Sequence, residues 1–406
     1  MLYRLEVENF FSIRDQQVLD LTIAPNVSDP DERFSPLFPG AQLRAPKVIA
    51  LYGPNASGKT TVLKALEFLF QFARESSQRT LAGFACERFN DEESASRPIR
   101  LAVEFAGVSH VSAERVARVI SGEPVESGLY RYELELDVVE GFAMSVKTEA
   151  LRQKPGGRGK WQRVFERKYG EVTGSKIFPI AGYRHLINTL RPNVSVISSF
   201  AMFQHPAAML LVDAANNVFS SLGLTPNDQP LVDFLAQRPD LVELLNRDLS
   251  RIDVGVESMR IESTPNGPMP LFRHEGLHVE MPWSLESHGT RAFIKLFPLL
   301  ALTLQRGGIA IVDEFDVMIH PLVLPEILRW FYDSKERNPL HAQLWLSCHS
   351  ASLLDDLVKE EVVLCEKDRQ GRTRMFSLMD MKQVRRDDNL YRKYLSGIYG
   401  GVPNIG

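Results

Sequence analysis

The sequence predicts an α/β fold built on a mixed sheet, with an antiparallel β-subdomain and a helical insertion, on three observations. Gly53-Pro54-Asn55-Ala56-Ser57-Gly58-Lys59-Thr60 fits the phosphate-binding pattern G-x-x-x-x-G-K-[ST] at every fixed position. Residues 99 to 167 alternate apolar and polar side chains at short spacing between glycine-rich breaks, as an antiparallel meander does. Beyond residue 290, apolar helices alternate with short, fully apolar strands, the pattern of a parallel sheet whose C-terminal strand ends collect the chemistry.

Taken in order, Leu2 to Phe10 sets Leu5, Val7 and Phe10 against Arg4, Glu6 and Glu8, a half-exposed strand, and Gln17 to Ile23 is its expected antiparallel partner. Pro25 to Pro46 is rich in Pro, Asp, Ser and Gly and reads as a surface loop. Val48 to Tyr52 is a buried strand feeding the phosphate loop, and Val62, Leu66 and Leu69 give the following segment, Thr61 to Phe72, helical spacing. The meander is expected at Ile99–Phe105, Leu129–Val139, Phe142–Lys147 and Trp161–Arg167, a β-subdomain flanking the nucleotide site. From Ile180 to about Arg251 the spacing turns helical, an expected arm or lid, with no heptad repeat sustained enough for a long coiled coil. Val254–Ile261 and Leu277–Met281 are an expected strand pair. An apolar helix over Ala292–Leu304 leads to the strand Gly308–Val312, which ends in Asp313 and Glu314. A helix over Pro321–Tyr332 precedes the buried strand Gln343–Ser347, which ends at Cys348-His349-Ser350. Glu361 onward offers two short strands and a basic, aromatic helix. The division this implies is 1–179, with the phosphate loop and β-subdomain, 180–252, the helical insertion, and 253–406, with the remaining motifs.

The chain has 406 residues, of which 44% are hydrophobic and 24% charged, enough to bury a large core. A net charge of -4 gives no global pull toward nucleic acid. Cys86, Cys348 and Cys365 form no C-x-x-C pair, which suits a reducing compartment and argues against a disulfide framework or a zinc site. No apolar run approaches the roughly 20 residues that span a bilayer. The expectation is a cytoplasmic protein with no membrane partner.

The phosphate loop explains its own residue types. Gly53 and Gly58 let backbone N–H groups converge on phosphate oxygens, with Pro54, Asn55, Ala56 and Ser57 completing the curl and Thr61 opening the helix, whose positive dipole end favours the anion. Lys59 would reach the β- and γ-phosphates, and Thr60 would offer its hydroxyl to Mg²⁺. Asp313, at the mouth of a buried strand, is placed to hold Mg²⁺ through its water shell, and Glu314 could polarise the attacking water. His349, ending another buried strand, could sense the γ-phosphate. Paired acids also serve as helix N-caps and a lone histidine as a satisfied core residue, but three motifs in order favour the chemical reading. His274 and His278, four apart on loop and strand, would not share a helix face and make a poor metal pair. Two basic stretches, Arg152 to Lys168 and Lys382, Arg385, Arg386, Arg392 and Lys393 with Tyr391 and Tyr394, suit either a solvated face or a phosphate backbone.

Together these residues resemble the ATP-binding-cassette superfamily, in its soluble members related to the SMC, OLD-type and abortive-infection ATPases. The phosphate loop, Asp313-Glu314 and His349 stand in that family's order, and Ser287-His288-Gly289-Thr290 occupies the place of its signature, with His288 where a glycine is usual. Asp316 and His320-Pro321 match the region after the acidic pair, and Gly397 to Val402 with Pro403 resembles the tail of abortive-infection members. The resemblance implies an ABC-type P-loop NTPase head that binds ATP and Mg²⁺, with Ser287 and Gly289 contacting nucleotide, Asp316 at a subunit contact, and a homodimer or higher homo-oligomer assembled through the ATP sites.

It further implies a switch ATPase controlling a separate effector, a nuclease or toxin, in anti-phage defence. An SMC-like DNA-repair or chromosome-maintenance ATPase is the alternative, and nucleic acid a further candidate partner. The stretch after His349 is too short for an independent nuclease domain of about 100 residues or more. A transporter subunit, more compact, fits the meander and helical insertion poorly.

Overall fold

The computed structural model describes residues 1–79, 83–108, 126–223, 227–252, 255–317, 319–386 and 388–402. In chain order the strands are β1 (Leu2–Glu8), β2 (Gln17–Asp20), β3 (Phe34–Pro36), β4 (Arg44–Pro46) and β5 (Val48–Tyr52). The meander follows as β6 (Ile99–Val108), β7 (Ser127–Val139), β8 (Phe142–Pro155), β9 (Gln162–Lys168) and β10 (Glu171–Thr173). Then come β11 (Val218–Ser220), β12 (Val256–Thr264), β13 (Gly267–His274), β14 (Met281–Pro282), β15 (Ile309–Val312), β16 (Gln343–Ser347), β17 (Val362–Lys367) and β18 (Thr373–Ser377).

Two sheets organise the body. One runs β10-β9-β8-β7-β6-β1-β2 and is antiparallel throughout. The other runs β11-β15-β16-β5-β17-β18, parallel except for its last pair. Alternate residues of this second sheet enter different cores, because side chains on a strand point to opposite faces. Ile49, Leu51, Ile311, Trp345 and Val363 face the core shared with the antiparallel sheet and the helix Lys59–Glu75. Val48, Ala50, Tyr52, Val312 and Leu346 face a second core under the helices Pro239–Ile252, His288–Arg306 and Leu324–Tyr332. Burial on both faces is why these strands read as continuous apolar runs. Gln343 pins the two sheets: its amide accepts from Leu2 N at 3.1 Å and donates to the carbonyls of Leu2 and Pro46 at 2.9 Å.

The meander is longer than its sequence pattern suggested, since β7 and β8 run the full 13 and 14 residues of one hairpin. Its two turn residues, Glu140 (φ 50) and Gly141 (φ 78), supply the positive φ values that a two-residue hairpin turn requires.

Two expectations need revision. The segment 180–252 is helical, in Arg184–Thr189, Val196–Met202, Pro206–Ala215, Gln229–Ala236 and Pro239–Ile252, but it is no free arm. Val196, Ile197, Phe200, Ala207 and Ala208 lie in the first core, and β11 within the segment pairs with β15 in the parallel sheet. Leu277–Met281 does not pair with the strand expected over Val254–Ile261; only Met281 of it is in a strand, β14, and that pairs with β13. An unanticipated strand, β13, lies between, joined to β12 by the two residues Pro265-Asn266, with Gly267 at φ 107 opening β13. Of the basic residues of the tail, Arg386 pairs with Glu360 and Lys393 with Asp388, while Lys382, Arg385 and Arg392 are exposed, and the Tyr394 hydroxyl donates to Gly401 O. Val254 and Pro403, named in the sequence reading, lie outside the described residues. No single helix among the described residues is long and apolar enough to cross a membrane.

Candidate functional site

The phosphate loop sits where β5 ends, between β16 and β17, the middle of the parallel sheet. Its glycines are obligatory on two counts. Gly53 has φ 148 and Gly58 has φ 104, and a Cβ would lie 2.2 Å from Cys365 O in the first case and 2.2 Å from Thr373 Oγ1 in the second. Thr373 braces the loop from β18, its hydroxyl donating to Ser57 O at 2.9 Å, while Ser12 in the β1–β2 turn meets Thr61 Oγ1 at 3.0 Å. The Lys59 ammonium donates to the carbonyls of Gly53 and Pro54 at 2.9 and 3.0 Å. Burial holds its pKa below the usual lysine range, an effect that Asp313 partly opposes.

Across the loop, β15 delivers the acidic pair. Asp313 accepts from Thr60 Oγ1 at 2.8 Å and from Ser347 Oγ at 2.5 Å, and its own N–H donates to Ser221 Oγ at 3.0 Å. Glu314 has φ 50, a left-handed conformation costly for a residue with a side chain, and its N–H donates to Ser347 Oγ at 2.8 Å. One serine therefore holds both acids. The strained turn leaves Glu314 exposed while Phe315, 1% exposed, anchors the chain beneath it.

These groups line one cleft of about 1150 Å³. Asn55 to Thr61, Asp313, Glu314, Ser347 and His349 form one part of its wall, and Phe11, Glu87 to Asp91, the β7–β8 hairpin turn and Lys367 with Gln370 and Gly371 form others. The residues fit a magnesium nucleotide. Thr60 and Asp313 present two hard oxygen ligands side by side, the glycine cradle excludes any Cβ, and a buried ammonium faces the loop.

Ser287 and Gly289 are not brought to this cleft. They border a separate hollow of about 370 Å³ with Leu249, Phe293 and His320. Ser287 is the N-cap of the helix His288–Arg306, accepting from Thr290 N at 3.0 Å. Asp316, expected at a subunit contact, is engaged within the chain, accepting from the backbone N–H groups of His349 and Ser350. His274 meets Glu286 Oε1 at 2.5 Å. Sequence reasoning missed Ser347, Ser221, Ser12 and Thr373. Of these only Ser347 carries a local signal, as a polar residue closing an apolar strand.

Residues 48–139 and 183–355 match the model of the family described as "AAA domain, putative AbiEii toxin, Type IV TA system". The chain belongs to this family. The matched stretches of this AAA-domain protein contain the phosphate loop, the acidic pair and His349. Among solved structures, it is similar to the SMC head domain from Thermotoga maritima, at 14% identity and TM-score 0.42, over 93% of this chain and 98% of that one. No curated protein matches it.

Proposed function

We propose that this protein is a cytoplasmic ATPase that dimerises on ATP, hydrolyses it, and so controls a separate effector, a nuclease or toxin, in anti-phage defence. The reading rests on one observation: Ser347 ties Asp313 and Glu314 to a single hydroxyl at the mouth of the phosphate loop. Lys59 and the loop amides bind the phosphates. Thr60 and Asp313 would hold Mg²⁺, which when bound neutralises charge on the β- and γ-phosphates. Glu314 orients water and takes its proton as the water oxygen bonds to the γ-phosphorus and the bond to the ADP oxygen breaks. His349 hydrogen-bonds the γ-phosphate, and Ser287 with Gly289 of a second copy closes the site from its open side. Membership in a family named for a putative toxin and a toxin–antitoxin system supports the defence role.

The test separates binding from chemistry. Lys59→Ala should lose ATP affinity, whereas Glu314→Gln should retain ATP and turn it over at least about 10²-fold more slowly. Normal turnover by Glu314→Gln refutes the assignment. Co-purification of a nuclease or toxin, with ATP or with ADP, tests the effector.

A further inference from the structure

We propose that Asp316 is a positioning residue for His349: its carboxylate replaces the missing ladder partner where β16 runs out, and so fixes where the imidazole stands at the cleft. The inference deepens the reading above and rests on the role given there to His349.

Up to Cys348 the chain is held by its neighbours. Ser347 O accepts from Phe315 N at 2.9 Å, and Cys348 N donates to Leu51 O at 3.1 Å. Beyond that point β15 has already ended, at Val312, and offers no carbonyls in register. Two successive N–H groups, one at exposed His349 and one at half-buried Ser350, would otherwise have only water as a partner. Asp316 takes both. His349 N lies 3.1 Å from each carboxylate oxygen, and Ser350 N donates to Oδ2 at 2.7 Å. Bonds to an ionised acceptor are shorter and stronger than neutral ones, and the 2.7 Å bond from Ser350 N has that length. On the opposite side the Tyr52 hydroxyl donates to Ser350 O at 3.3 Å.

The backbone that carries His349 is thereby clamped between Asp316 and the residue preceding the phosphate loop. The imidazole itself is exposed and lines the cleft. The carboxylate is occupied by backbone N–H groups and does not line the cleft, which makes Asp316 a positioning group rather than a catalytic one. It also shares a tight turn with Glu314, closed by Val317 N donating to Glu314 O at 2.9 Å. Glu314 and the backbone of His349 are therefore linked through one turn.

The experiment is a double-mutant cycle on the full chain with His349→Ala, reading kcat and KM for ATP separately alongside Tm. Asp316→Ala should lower kcat about tenfold or more while KM changes less than about threefold. Asp316→Asn, which keeps one acceptor oxygen, should recover part of the loss, and it serves in the cycle if the alanine variant does not fold. The double mutant should be no slower than His349→Ala alone. Losses that multiply, or an unchanged kcat in Asp316→Ala, overturn the proposal. A His349→Ala enzyme as fast as the parent overturns instead the role of His349, and a parent without ATP turnover overturns the ATPase reading.

Discussion

The Thr60 hydroxyl donates to Asp313 across 2.8 Å, setting side by side two oxygens from residues 253 positions apart. Asp313→Ala should therefore weaken nucleotide binding chiefly when Mg²⁺ is present. A hydrogen bond to a charged group is worth about 1.5–3 kcal/mol, so the tightening by Mg²⁺ should fall by about tenfold or more. Titration with a fluorescent ATP analogue, with Mg²⁺ and with EDTA, measures it. An undiminished Mg²⁺ effect would rule out Asp313 as part of the metal site.

Ser347→Ala removes the hydroxyl that serves both acids. Glu314 N loses its acceptor and Asp313 loses a donor, at a cost of about 1–3 kcal/mol. With its N–H released, the φ 50 conformation of Glu314 is no longer enforced. ATP affinity should persist, since Lys59 and the loop are untouched, while turnover falls about tenfold. Retained turnover would show that the turn holds Glu314 without this serine.

Composite sites predict complementation between inactive chains. Ser287 caps a helix, so replacing it with a residue that cannot cap would cost about 0.5–2 kcal/mol and blur the result. Ser287→Asp keeps a capping acceptor and sets a negative charge against the phosphate, so its Tm should match the parent while its ATPase activity disappears. Mixed with Lys59→Ala protein, it should regain activity, because a heterodimer holds one site with an intact loop and an intact Ser287. No recovery in a demonstrated heterodimer counts against the shared site.

Acid stability should depend on Glu6. Hydrogen bonds from Arg131, and secondarily from Arg4, bring its pKa down from 4.5 to about 2. A carboxyl whose folded pKa lies below its unfolded value stabilises the fold above the unfolded pKa and loses that contribution as pH falls through the folded one. Glu6→Gln should thus lower Tm at neutral pH by about 2 °C or more and differ progressively less from the parent between pH 4.5 and about 2. A constant difference across that window would mean the charge is not responsible.

What the sequence disclosed was whatever is encoded locally. The phosphate loop lies between the strand and helix expected, and Gln343–Ser347 is the strand as read, because a short apolar run between polar breaks needs no distant information. The meander strands were legible by alternation. The segment 180–252 misled because helical spacing shows that a face is buried but not against what. Its faces pack on the body, and β11 is too short to show a period. Ser221, Ser12 and Thr373 act through partners 92, 49 and 316 residues away, which no window of sequence reveals.

The Gln343 pin sets an order of events during synthesis. Its contacts to Leu2 and Pro46 span 341 and 297 residues, and among the described residues β5 pairs only with β16 and β17. At about 5–20 residues per second, the strand bearing the phosphate loop waits on the order of 15–60 s for its neighbours to leave the ribosome. Until then both of its edges are open to pairing with other chains. Strands β16 and β17 thus decide when the site can form: a polypeptide truncated before residue 343 lacks both strands that flank the one carrying its nucleotide loop.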